Sequence, residues 1–145
     1  MSFSVSFLHA QLSKNLSFGV LHSNLSGLNA ELSYSNPLTN KVGITARYAY
    51  NLNKSYGIRG GLFYRIMTNK PLNLDFGVEY NYDRLRFNKL SEEVVSRNLE
   101  FPLTVSFSIS NRYELYGGIS SSINLNDSET NRLADNLRLG IRYKW

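Results

Sequence analysis

The chain of 145 residues has no cysteine, one tryptophan, two histidines and three prolines. Without cysteine there is no disulfide framework, thiol nucleophile or Cys-based zinc site. His9 and His22 alone, with no carboxylate cluster beside them, make a poor metal set, and no cofactor is expected. No run of about 18 apolar residues occurs, so no transmembrane helix can be drawn. That absence leaves membrane β-barrels untouched, because their alternating strands produce no hydropathy peak. Lys and Arg outnumber Asp and Glu by 16 to 11. They are scattered rather than clustered, so a nucleic-acid partner is not expected. No Gly-rich phosphate loop is present. The start "MSFSVSFLHA" lacks the basic and continuous apolar parts of a signal peptide. An exported form would therefore be a mature-type chain restarted at Met1. Helical spacing is confined to "NKLSEEVV" at 88–95, too short to stand alone.

What is present is a period of two. Ten Tyr and eight Phe join the aliphatic residues in nine alternating segments, roughly 2–11, 16–23, 28–36, 41–51, 55–67, 72–83, 97–109, 113–125 and 136–145. Turn residues separate them: "SKN" at 13–15, "NPLTN" at 36–40, "NLNK" at 51–54, "TNKP" at 68–71 and "SNR" at 110–112. Two connections are longer, 84–96 and 126–135.

The clearest strand, "LNLDFGVEYNYD" at 72–83, puts Leu72, Leu74, Phe76, Val78, Tyr80 and Tyr82 on one face. Asn73, Asp75, Gly77, Glu79, Asn81 and Asp83 lie on the other. Segments 56–66 and 98–109 repeat the pattern, with Pro102 marking a bulge or an end of pairing. A soluble barrel would turn the apolar face inward, and a membrane barrel would turn it to lipid. Side-chain size favours the second. The polar face carries Gly43, Gly57, Gly61, Gly77, Gly118 and Gly140, with Thr104, Ser106, Ser108, Ser120 and Ser122. Among them stand Arg47, Arg59, Arg65, Arg138 and Arg142, opposed by Glu31, Asp75, Glu79, Glu100 and Glu114. Long arginines beside glycine and serine suit a narrow lumen in which charges pair across a small bore. A water-facing outer surface has no steric reason to use so much glycine.

On the apolar face, Tyr48, Tyr50, Tyr56, Tyr64, Tyr80, Tyr82, Tyr113, Tyr143 and Trp145 sit toward strand ends, with aliphatic residues and Phe between. That is the distribution of interfacial aromatic girdles. Segments of about 10–12 residues match the length needed to cross hydrocarbon at a tilt. The expectation is one all-β domain over 1–145: a closed, antiparallel, up-and-down transmembrane β-barrel of 8–10 strands. The runner-up fold is a soluble, lipocalin-like lipid-binding barrel.

The ending "LRLGIRYKW" resembles the last strand of bacterial outer-membrane β-barrels, where alternating apolar residues finish on an aromatic one. The resemblance implies that Leu139, Ile141, Tyr143 and Trp145 are read by the outer-membrane assembly machinery. "RNLEFPLTVSFSISNRYELYGGISSSINL" at 97–125 is similar to the small PorT-like barrels of Bacteroidota. These likenesses imply an outer-membrane location in contact with lipid, with the short turns periplasmic and the connections 84–96 and 126–135 outside. Single-chain bacterial barrels have even strand counts, so the nine segments imply eight strands or ten.

Catalysis is not expected. "HSNLS" at 22–26 places His22 beside Ser23 and Ser26, with Glu31 downstream, but adjacent strand residues point to opposite faces. Asp75, Glu79 and Asp83 could gather a cation only if their oxygens converged. Salt bridging to Arg47, Arg59 and Arg65 is the favoured reading. The segment "YDRLRFNKLSEEVVSR" at 82–97 is either a partner-contacting loop or an extension of two strands beyond the membrane. The function expected is a non-enzymatic structural or accessory subunit of a membrane complex. A narrow solute pore is the alternative within the same fold.

Overall fold

A computed structural model describes residues 15–23, 27–51, 54–87, 92–126 and 134–144. They form eight strands: β1 (Asn15–Ser23), β2 (Gly27–Pro37), β3 (Val42–Tyr50), β4 (Tyr56–Asn69), β5 (Leu72–Phe87), β6 (Glu92–Ser108), β7 (Tyr113–Asn124) and β8 (Ala134–Lys144). Each pairs antiparallel with the next, and β8 pairs with β1 to close the barrel. Closure leaves no strand edge with unpaired backbone groups, the condition for a sheet in hydrocarbon. Eight of the nine alternating segments are these strands. The segment 2–11 lies outside the described residues, and the even count is met without it.

The region expected as a long connection at 84–96 is instead the top of a hairpin. Leu85 pairs with Val94 and Arg86 with Glu93 in continuous antiparallel register. The helix-like spacing at 88–95 gives strand, not helix, at 92–95, in keeping with its being too short to stand alone, and 88–91 lie outside the described residues. One helical turn has no partner to stabilise it, whereas each added cross-strand pair extends an existing ladder.

Alternation becomes sidedness. Burial along β1 switches at every residue, with Leu16, Phe18 and Val20 outside and Ser17, Gly19 and Leu21 inside. Phe18, Leu28, Leu62 and Ile119 each expose more than half of their surface outward, while Glu31, Glu79 and Glu100 are buried inside. This is the reverse of a soluble barrel. On β5 the outward apolar row runs from Leu72 to Tyr82. At about 3.3 Å per residue and a tilt of about 40°, it covers about 25 Å, the height of a lipid-facing band.

Tyrosines mark both edges of the band. Tyr48 and Tyr56 stack at 6.4 Å near one end. Tyr113 and Tyr143 meet at 5.3 Å near the other. A one-residue bulge between Arg65 and Met67 shifts the β4–β5 register. It turns Met67 outward beside Ile66, so both remain on the apolar face. Pro102 keeps its pairing to Ser120 on β7. On the β5 side the ladder lapses opposite Pro102 and resumes in the same register at Glu79 and Glu100. The proline, having no N–H, removes a rung without a bulge.

The two ends differ. Residues 38–41, 70–71 and 109–112 make tight connections at one end. Thr39 Oγ1 accepts from the amides of Lys41 and Val42, and Ser110 Oγ from those of Arg112 and Tyr113. The opposite end carries the extended β5–β6 hairpin and the connection 125–133. The connections 24–26 and 51–55 at that end are short as well, so of the two long connections expected only the one between β7 and β8 is long.

Candidate functional site

The interior gathers the largest set of converging polar side chains among the described residues, and they arrive there by strand parity. β2 presents Glu31, β3 Arg47, β4 Arg59, β5 Glu79, β6 Glu100 and β8 Arg138, all near mid-barrel. Arg138 is the hub. Its guanidinium lies 2.5 Å from Glu100, 3.4 Å from Glu31 and 3.6 Å from Glu79. Arg47 reaches Glu79 at 3.0 Å and Glu31 at 3.4 Å. Arg59 joins Glu100 and Asp83, both at 3.3 Å. Asn81 and Ser120 also donate to Glu100. Three arginines thus meet three glutamates in a layer that spans the bore.

Two smaller groups lie toward the short-turn end. Arg65 clasps Asp75 with two hydrogen bonds, 2.8 and 3.1 Å long. Glu114 receives Arg142 at 3.0 Å and Lys144 at 3.3 Å, with Ser106 and Asn73 donating to it as well. Among the described residues, six cations face six anions in the lumen. Asp75, Glu79 and Asp83 do not converge on a common point. Each is held by a different arginine, so together they offer no ready cation cage.

The middle layer is closed to water. Glu100 is 0 % exposed, Glu31 and Glu79 1 %, and Arg138 2 %. Leu21, also 0 % exposed, adds an apolar side chain beside Arg138 on the neighbouring strand. Below this layer a polar cavity of about 130 Å³ remains, bounded by Asn15, Ser33, Arg65, Glu114 and Lys144 among others. The layer is coulombic more than directional: both oxygens of Glu79, and Nε and Nη1 of Arg138, lack a hydrogen bond of good geometry despite the short ion-pair distances.

The glycines of the inner wall make room for bulk. A Cβ on Gly19 or Gly140 would fall within 2.5 or 2.6 Å of the Tyr116 hydroxyl. Tyr116 therefore lies across β8 and β1, and Arg142 stacks on its ring at 5.3 Å. Phe63 fills the space that a side chain at Gly43 would need. Tyr116 and Leu21 are interior residues that the sequence reading did not single out. Parity with Gly118, Ser120 and Ser122 was the available signal for Tyr116.

His22 points outward, opposite to Ser23, so the two form no base–nucleophile pair. His9 and Ser26 lie outside the described residues. On the outer face Ser121 donates to Asp135 at 2.9 Å. The Asp135 carboxylate thus engages its hydroxyl, and His22 lines the same outer hollow. Leu139 and Ile141 point outward in one row of β8 with the half-buried Tyr143. Trp145 lies outside the described residues.

No family model matches the chain, and no curated protein matches it. Solved structures do. The N-terminal β-barrel domain of Pseudomonas aeruginosa OprF superposes with a TM-score of 0.78 at 11% identity, over 93% of this chain and 98% of that one. The fold is that of a small transmembrane β-barrel. Neisserial surface protein A is similar at a TM-score of 0.58 and 17% identity, over 91% of this chain and 94% of its own. Ail, the attachment invasion locus protein of Yersinia pestis, gives 0.57 and 16%, over 93% and 99%. At such identities the likeness concerns architecture and leaves the role of this barrel to its own residues.

Proposed function

We propose that this chain is an integral outer-membrane β-barrel whose lumen is a structural plug, and that it serves as a non-enzymatic structural or accessory protein of the envelope. One observation carries the reading. A closed sheet presents a continuous apolar exterior and buries an ion layer across its bore, within a lumen whose paired charges balance. An exterior of that kind is stable only in lipid, and the apolar-outside distribution is the opposite of a soluble lipid carrier. A buried layer of paired charges also argues against free solute passage. In this reading the short turns face the periplasm, and the outward row Leu139, Ile141 and Tyr143 of β8 is what the assembly machinery reads.

Heat-modifiable gel migration after detergent extraction tests the membrane barrel, and planar-bilayer recording tests the plug. A chain that stays monomeric without detergent and binds fatty acid would overturn the first. Discrete conductance steps from the wild type would overturn the second and favour a narrow pore. Co-purification of the tagged chain with a larger envelope complex tests the accessory role.

A further inference from the structure

The long-loop rim of the β5–β6 hairpin carries a cationic surface that the lumen does not use. Outward-facing cross-strand pairs climb in order: Tyr80 with Leu99, Tyr82 with Arg97, Arg84 with Val95, Arg86 with Glu93. The first rung belongs to the apolar band, and the next three place an arginine each on the outer face immediately above it. Glu93 is shared by Arg84 and Arg86. Arg97 has no ion pair among the described residues and is exposed. It lines an open groove with Tyr80, Val95, Leu125 and Asn126. Asn126 is fixed there by donating to the Val95 carbonyl at 2.7 Å, and the Leu125 amide donates to the Arg97 carbonyl at 2.7 Å. The groove therefore has an apolar floor continuous with the band and a cationic lip with a surplus of positive charge.

We propose that this groove binds a phosphate-bearing membrane lipid, with Arg97 on the phosphate, Arg84 and Arg86 extending the positive field, and an acyl chain along Tyr80 and Leu125. A guanidinium at the edge of hydrocarbon reaches toward the headgroup level, and its planar fork matches phosphate oxygens. A zwitterionic or neutral surface would leave the positive surplus unmatched. The occupant with the best complementarity is a lipid carrying more than one phosphate, such as the glycolipid of an outer leaflet. This inference rests on the membrane reading above and on the long-loop end facing outward.

Native mass spectrometry of the refolded barrel in nonionic detergent tests it, with bisphosphorylated lipid A, its monophosphorylated form and phosphatidylcholine as probes. A one-to-one adduct with bisphosphorylated lipid A is expected. Binding should weaken about tenfold on loss of one phosphate, and again on Arg97→Gln, the scale of one charge-assisted hydrogen bond. Arg112→Gln, at the opposite end, should leave binding unchanged. Should Arg97→Gln not fold, the Arg84→Gln/Arg86→Gln pair, which stands clear of the band, should weaken binding in the same direction. Equal adducts with phosphatidylcholine, or equal losses from Arg112→Gln, would overturn the proposal. Heat-modifiable migration of the wild type separates the two failures. An unfolded chain in detergent would refute the membrane reading, and a folded but lipid-indifferent barrel would refute this inference alone.

Discussion

Arg138→Met is the substitution that most directly tests the plug. Methionine follows the unbranched stem of arginine as far as about Nε, so it removes the guanidinium and its charge while keeping an unbranched stem in place. Arg138 contacts three glutamates at 2.5, 3.4 and 3.6 Å in a site 2 % exposed. After substitution five lumen cations face six anions, and Arg59 is already shared between Glu100 and Asp83, so one buried negative charge is uncompensated. Removing one partner from a buried ion pair costs about 3–5 kcal/mol. Two guanidinium nitrogens of Arg138 lack good hydrogen-bond geometry, which places the expected loss near the lower end, about 3 kcal/mol. Urea titration in lipid micelles, followed by the heat-modifiable band, reads this loss. The double variant Arg138→Met/Glu100→Gln removes the excess charge with the cation. It should recover most of the stability, because a buried pair replaced as a unit is often near neutral. If Arg138→Met costs less than about 1 kcal/mol, the value of a screened surface pair, the layer is hydrated and the plug reading is refuted.

Three further outcomes follow from the geometry. Gly140→Ala should destabilise by about 1–3 kcal/mol in the same titration. Its Cβ would meet the backbone of Phe18 and Gly19 at 2.7 Å, where no side chain can swing aside; an unchanged midpoint would contradict the packing described. Leu62→Arg, on the lipid face, should cost about 2–4 kcal/mol if it lies near the bilayer midplane, and a neutral result in bilayers would argue against lipid contact there. Above the band, Arg86 and Arg84 hold the Glu93 carboxyl below its ordinary range, chiefly through the Arg86 hydrogen bond. A lowered folded-state pKa means that this contact contributes above the ordinary carboxylate pKa and is lost as pH falls through the folded value. An NMR titration of Glu93 should therefore show a midpoint below that of an ordinary glutamate; one at or above it would remove the bridge from the account.

The strands were legible because a sheet with two different faces writes its period into every residue. In 72–83 each outward residue is apolar and each inward one is polar or glycine, so register and sidedness came together. The inner wall was legible as a class for the same reason: Arg47, Arg59 and Arg138 could be assigned to the lumen by parity. Which carboxylate each would meet was not legible. Cross-bore partners such as Arg59 and Glu100 sit 41 residues apart and are set by the tilt and stagger of closure, which leave no local trace. Leu21 escaped notice because an apolar inward residue breaks the binary pattern. The top of the β5–β6 hairpin was legible only as one of two readings, a strand extension or a loop, because above the band its outer face turns from tyrosine to arginine. The apolar alternation that marks a strand in lipid stops there although the strand does not.

Charge balance is the feature that argues most about role. A conducting bore needs water along its length, and a selective one needs a surplus of one sign facing that water. Here, among the described residues, six cations and six anions neutralise one another, and the central members are sealed from solvent. Ion pairs buried this deeply are weak evidence for stability, since apolar residues of equal volume would do as well. What apolar residues would not supply is distinction between the two faces of the sheet. A chain apolar on both sides has no preferred register, and a one-residue slip would carry no penalty. Charged side chains that can be satisfied only across a closed bore penalise every slipped or open arrangement. The lumen is thus best understood as the device that makes one barrel, in one register, the stable product of these alternating strands.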